Sequence, residues 1–143
     1  MTDQVFETPE AAEAAFYWAF SSIDLDLMTA VWADGETTMC IHPGSSLLRG
    51  KTAVVQSWAE IFSGSEPPLI ECLFVDGFAT EDLVVRLVEE TIRPRDKPLK
   101  AASRILATNI YLRDGGSWRL VEHHASLPLV ERGTTAGDWR QLH

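Results

Sequence analysis

The stretch Ala107-Thr-Asn-Ile-Tyr-Leu-Arg-Asp-Gly-Gly-Ser-Trp-Arg-Leu-Val-Glu-His-His-Ala-Ser126 decides the fold. Two runs rich in β-branched and aromatic residues flank Asp114-Gly115-Gly116-Ser117. The glycines of that cluster supply positive φ angles for a tight reversal, so the stretch reads as a β-hairpin. Its second strand carries Glu122, His123, His124 and Ser126, a dense set of polar groups for a strand of otherwise buried character. Such a strand lines a pocket.

Outward from the hairpin, residues Leu69 to Ala79, Leu83 to Ile92, Ala101 to Leu112 and Trp118 to Ser126 read as four strands. Their short connections predict an antiparallel meander. Before Pro67-Pro68 the pattern is helical. Thr8 caps a first helix, Pro9 suits its first turn, and Glu10 and Glu13 face its positive end. Ala12, Ala15, Phe16, Ala19 and Phe20 form its apolar stripe. Asp24 caps a short second helix that buries Leu27, Met28, Val31 and Trp32. Gly50-Lys51-Thr52 opens a third, with Val54, Val55, Trp58, Ile61 and Phe62 inward and Gly64 as its stop. Between these helices Thr37 to His42 reads as a strand ended by Pro43-Gly44. Helices first and a long meander afterwards make an α+β domain, with three apolar-faced helices wrapped by one face of the sheet.

The 143 residues fit one domain, 1–143, with an ordered core at about 8–127 and a polar tail, 128–143, that Trp139 can anchor. The formal net charge of −9 argues against nucleic acid and anionic membranes as partners. Cys40 and Cys72 each sit in an apolar run and read as free buried thiols of a reducing compartment. The first ten residues lack the basic and apolar regions of a signal peptide, and no apolar run approaches a membrane span. The expectation is a soluble cytoplasmic protein.

Asp24-Leu25-Asp26, Val31-Trp-Ala-Asp34, Ile41-His42-Pro43-Gly44, Gly50-Lys-Thr-Ala-Val54 ahead of Trp58, and the hairpin with Trp118 and His123-His124-Ala125-Ser126 follow one another in a telling order. In that order and spacing the chain resembles the nuclear transport factor 2-like superfamily, in its SnoaL-like and ketosteroid-isomerase-like branch. The resemblance implies a cystatin-like cone, a curved antiparallel sheet around three N-terminal helices with a pocket in its mouth. It also implies a homodimer through the outer sheet face. It does not imply a reaction, because this fold hosts isomerases, cyclases, dehydratases and binding modules.

The resemblance marks His42 first. It stands before a proline where the isomerase places its general-base carboxylate, and an imidazole suits proton transfer near neutrality. The bland alternative is a histidine that only bonds a loop. Asn109 matches the strand position of the isomerase's oxyanion-binding acid, and a carboxamide can donate the same hydrogen bond. Phe16 takes the place of the isomerase's oxyanion-binding tyrosine, and Tyr17 beside it points about 100° away. Strand alternation from the turn places Trp118, Leu120, Glu122, His124 and Ser126 on one face and Arg119, Val121, His123 and Ala125 on the other. On that register His124 faces the pocket and His123 the outside. Adjacent histidines on opposite faces cannot share a metal, so no metal or other cofactor is expected. Phe16, Phe20, Trp32, Trp58, Phe62, Tyr111 and Glu122 are the expected pocket walls. Phe74 reads as core, and Arg86, Glu89 and Glu90 as a solvated or interface charge set.

Two functions fit. One is a cofactor-free isomerase, cyclase or dehydratase for a small apolar carbonyl compound, with His42 moving the proton and Asn109 or His124 steadying the oxyanion. The other is a non-catalytic ligand-binding or dimerisation module, favoured by the missing first-helix tyrosine. An open cavity joining His42 to Asn109 separates the first from a filled core.

Overall fold

The computed structural model describes residues 4–130. The suggested anchor Trp139 lies outside the described residues. The chain begins with a helix α1 at Pro9–Ser22 and a shorter helix α2 at Leu25–Val31. Strands β1 (Met39–Ile41) and β2 (Leu48–Arg49) precede a third helix, α3, at Lys51–Ser63. The meander follows as β3 (Leu69–Ala79), β4 (Leu83–Arg93), β5 (Ser103–Asp114) and β6 (Ser117–Ala125).

Local chemistry sets the helix ends. The Thr8 hydroxyl accepts from Ala11 N and the Asp24 carboxylate from Leu27 N, so both expected caps are made. Ile23 closes α1 in the left-handed conformation, with φ 48°. Gly115 and Gly116 turn the β5–β6 hairpin with φ of 58° and 85°. Two consecutive positive φ angles define the tight hairpin turn whose twist matches the flanking strands.

The sheet has six strands in the order β2-β1-β6-β5-β4-β3. The meander is antiparallel as expected, but β1 pairs in parallel with β6, so the sheet is mixed. It stays unclosed, with β2 and β3 as its edges. The sheet curls around α1, which touches β3, β5 and β6. The core between them holds Phe16, Trp32, Trp58, Met28, Tyr111 and Leu120, all fully buried. Each such side chain contributes roughly 1.5–3 kcal/mol through area removed from water.

Two departures from strict alternation reshape the faces. On β6, Ile110 stands opposite Glu122 while Tyr111 stands opposite Leu120. Val121 is therefore an extra residue, a β-bulge, and every side chain beyond it changes face. On β3 the register shifts between Phe74 and Asp76, opposite consecutive residues of β4. Phe74 is half-exposed rather than core, and the Arg86 guanidinium lies 4.4 Å from its ring centre. Gly77 follows, where an added Cβ would come within 2.2 Å of the Val85 carbonyl oxygen, so the two strands approach only because that position has no side chain.

Candidate functional site

The bulge at Val121 corrects the expected hairpin register. His123 is 2% exposed and faces the helices, whereas His124 is exposed on the outer face. Glu122, expected as a pocket wall, is half-buried on that outer face, and Ala125 turns inward. Cross-strand pairing then lays a polar row over the inner face. Cys40 of β1 stands beside His123, and His123 beside Asn109 of β5. Asn109 in turn stands beside Arg86 of β4.

Helix α1 covers this row. Tyr17 was expected to point away from Phe16, yet both are buried and their rings pack edge-on at 4.8 Å. The helix is covered on two sides, with Phe16 edge-on to Trp32 and Trp58 at 6.1 and 5.5 Å and Tyr17 turned to the sheet. The Tyr17 hydroxyl donates to Glu90 Oε2 at 2.6 Å and accepts from Asn109 Nδ2 at 2.9 Å. The Asn109 carbonyl oxygen therefore faces His123, 2.6 Å from Nδ1. An amide oxygen only accepts, so Nδ1 carries the imidazole proton and Nε2 is left unprotonated, 3.9 Å from Glu90 Oε2. A second group lies beside the first. Glu13 accepts from the Tyr111 hydroxyl at 3.0 Å and from Arg86 Nε at 3.0 Å.

Three of these residues overturn their sequence reading. Glu90 is 1% exposed and belongs to the interior, while Glu89 alone keeps the expected outer place, paired with Arg104. Arg86 and Glu13 are a largely buried ion pair rather than a solvated charge and a helix-end charge. A signal for Glu90 was present. Adjacent strand residues face opposite ways, so one of Glu89 and Glu90 had to point inward.

Burial pushes the Glu90 carboxyl up to about 7, opposed by the Tyr17 hydrogen bond and reinforced by Glu13. Burial also pushes the His123 imidazole down to about 3, with His42 and His124 adding to the shift. The two groups act on stability in opposite senses. Native Glu90 holds a proton that the unfolded chain has lost above about pH 4.5, so its contribution falls as pH rises to about 7. Native His123 refuses a proton that the unfolded chain takes below about 6.5, so its contribution falls as pH drops toward 3. Between about pH 4.5 and 6.5 the two slopes cancel. Glu90→Gln removes one of them. The stability of this variant relative to the parent is expected to shift by about 3 kcal/mol in its favour between pH 4.5 and 7.5. Urea unfolding at several pH values measures this, and a difference independent of pH contradicts it.

His42 follows β1 on the same inner face, half-buried, with its ring 4.8 Å from Trp58. Its Nε2 lies 2.9 Å from Ser57 Oγ and 3.8 Å from Cys40 Sγ. The Ser57 hydroxyl donates to Val54 O at 2.6 Å, so it accepts from His42 Nε2–H. His42 Nδ1 is left as the unprotonated nitrogen. Burial lowers the His42 pKa, and burial pushes the Cys40 thiol up to about 12, which keeps it a neutral thiol.

His42 and Asn109 are not joined by an open cavity. Phe16, Trp58 and His123 fill the space between them, and the polar side chains bond to one another rather than to backbone. Of the expected wall residues, Phe16, Trp32, Trp58 and Tyr111 are core. Phe20 and Phe62 line a cleft of about 450 Å³ near the C-terminal ends of α1 and α3, with Ile61, Ile92, Arg93 and Arg95. A larger cleft of about 820 Å³ lies beside α2. Its cations are already engaged, Lys51 by Asp34 and Trp32 O, and Arg119 by Ala30 O and Gln4 O. It contains no member of the buried polar row.

The family model of the SnoaL-like domain matches residues 10–130. The chain belongs to the SnoaL-like domain family. This SnoaL-like chain is similar to a crystal structure provisionally assigned as a calcium/calmodulin-dependent protein kinase type II association domain, from Thiobacillus denitrificans. The two are 42% identical, with a TM-score of 0.83 over 89% of this chain and 99% of the other. A provisionally assigned dehydratase of the nuclear transport factor 2-like family, from Streptomyces avermitilis, is 27% identical, with a TM-score of 0.73 over 85% of this chain and 94% of that one. Among curated proteins, the F-box protein SKIP8 of Arabidopsis thaliana is 24% identical over 107 residues, 75% of this chain and 44% of that protein. The chain thus spans less than half the length of this curated relative. The superfamily that the sequence resembles is therefore the one to which it belongs. Among the described residues no helix is long and apolar enough to cross a membrane.

Proposed function

We propose that this SnoaL-like chain is an acid–base enzyme of the isomerase or dehydratase type, acting on a small apolar carbonyl compound without a cofactor. The filled core takes Asn109 out of reach of a substrate at His42, so the reading does not rest on that pair; one other observation carries it. A hydrogen-bonded chain of Glu90, Tyr17, Asn109 and His123, drawn from four elements, is sealed in an apolar interior. Titratable groups gathered and perturbed in this way cluster at functional sites, though structural networks gather them too. The dehydratase assignment of the Streptomyces avermitilis relative supports the same reaction class.

In this reading His42 Nδ1 takes a proton from the carbon next to the substrate carbonyl. The electrons of that C–H bond become an enolate, with its charge on oxygen. The imidazolium then returns the proton to carbon, or expels an adjacent hydroxyl as water. The test is exchange of the α-protons of cyclohexanone, and of other small enolisable ketones, in deuterated buffer. The protein is expected to accelerate deuteration above the buffer rate, and equal rates with and without protein remove the proposal.

A second reading has its own observation. Leu73 and Phe78 of edge strand β3 are 65% and 64% exposed. They continue onto half-exposed Val85, Leu87, Leu106 and Ile110 on the outer sheet face. Large exposed apolar patches mark interfaces, and the Thiobacillus denitrificans relative carries the name of an association domain. We infer a homodimer through this face, compatible with catalysis in each cone. Val121 and Ala125 are not the basis for it, since Ala125 points into the core. Sedimentation at micromolar concentration is expected to give a dimer, and Leu73→Asp with Phe78→Asp a folded monomer. A monomeric parent contradicts this.

A further inference from the structure

We infer that the Trp58 indole N–H is the donor that receives the oxygen of the bound small molecule. The inference rests on the small-molecule reading of the site. The donors expected from the sequence are not free for this task. Asn109 is held at both ends, by Tyr17 and by His123. His124 points to the outer face. Tyr17 and Tyr111 give their protons to Glu90 and Glu13.

Trp58 differs. Its side chain is 1% exposed, and Nε1 is the one buried side-chain nitrogen or oxygen without a hydrogen-bond partner among the described residues. Trp32, equally buried, gives its own indole N–H to Met28 Sδ at 3.4 Å. Burying a donor without a partner is costly, and native structures retain few of them. Its position explains the retention. The Trp58 ring lies between His42, 4.8 Å away, and His123, 6.2 Å away. It also packs against Phe20 at 4.9 Å and Phe62 at 5.9 Å, two rings that line the cleft. Trp58 itself lies behind the cleft lining, so a molecule reaches it only past those two rings.

The surroundings fix the ligand class. It has a compact apolar body, to sit against Phe20, Ile61, Phe62 and Ile92, and one exposed acceptor oxygen for Nε1. A cyclic or branched ketone or aldehyde meets both conditions. The cleft rim does not select an anion, because Glu66 and Asp96 accompany Arg93 and Arg95 there.

Indole resonances of the ¹⁵N-labelled parent, titrated with cyclohexanone, test this. The Trp58 indole proton, identified by its loss in Trp58→Phe, is expected to move downfield and saturate. Methylenecyclohexane, which keeps the shape and lacks the oxygen, is expected to leave it in place. Trp58→Phe is expected to weaken cyclohexanone binding roughly 3- to 10-fold, the range for loss of one net hydrogen bond. The titration of the parent decides the matter even where the variant folds poorly. Movement of the Ile61 and Ile92 methyl signals without the Trp58 indole overturns the assignment of Trp58 and leaves the small-molecule reading standing. No movement of any signal overturns both.

Discussion

His42→Gln is expected to fold as the parent does and to exchange ketone α-protons about 10²–10⁴-fold more slowly, the usual loss when general-base catalysis is removed. The retained fold follows from its place. His42 is half-buried just past β1, and its side chain bonds only Ser57 and Cys40. Glutamine keeps the bond to Ser57 and has no basic nitrogen. Ser57→Ala is the informative companion. It leaves the imidazole in place but frees it to adopt either tautomer, so the pH profile moves more than the maximal rate. Parent-like exchange by His42→Gln, with the dichroism spectrum unchanged, takes His42 out of the mechanism and leaves Glu90 as the base to test.

Phe16→Ala is expected to destabilise the domain by about 3–5 kcal/mol, the range for a large aromatic lost from a packed core. Phe16 is fully buried and makes ring contacts with Tyr17, Phe20, Trp32, Trp58 and His123 at 4.8 to 6.5 Å. These partners come from α1, the residue just after α2, α3 and β6, so none can move into the space without disturbing another layer. For a domain of this size the midpoint of thermal unfolding should fall by roughly 10–17 °C. Trp18→Ala on the same helix is the control. Trp18 is 65% exposed, and its loss should change stability by less than about 0.5 kcal/mol. A Phe16→Ala protein within about 1 kcal/mol of the parent by urea unfolding would mean the aromatic cluster is looser than its geometry implies.

The helices were legible because their signals are local. Thr8 and Asp24 cap, Gly64 stops, and the spacing of Phe16, Val54 and Trp58 marks inward faces. The meander was legible for the same reason, since its turns lie within a few residues of the strands they join. Two features were not. A bulge is an odd count between two chains, and nothing around Val121 distinguishes the strand that carries it. His123 and His124 were therefore exchanged, and Glu122 and Ala125 with them. The other is the parallel pairing of β1 with β6, which brings together residues more than eighty positions apart. Only that pairing puts Cys40 beside His123, with His42 two residues further along the same face. The roles of Glu90, Glu13 and Tyr17 were hidden likewise, for each was read on its own element while its partner lay on another.

The buried polar chain also has a bearing on time. Tyr17 reaches Glu90 across 73 residues and Asn109 across 92, and Tyr111 reaches Glu13 across 98. Closing loops of that length before their contacts are rewarded places such topologies among the slower single-domain folders, on a scale of about milliseconds to seconds. No contiguous fragment holds the constellation, because any cut between Glu13 and His123 divides it. As the chain emerges from its N-terminal end, Glu13 and Tyr17 appear first and wait, solvated, until β6 has docked. Only then are they dehydrated and paired. The site is a late product of the whole chain, and it has no local precursor.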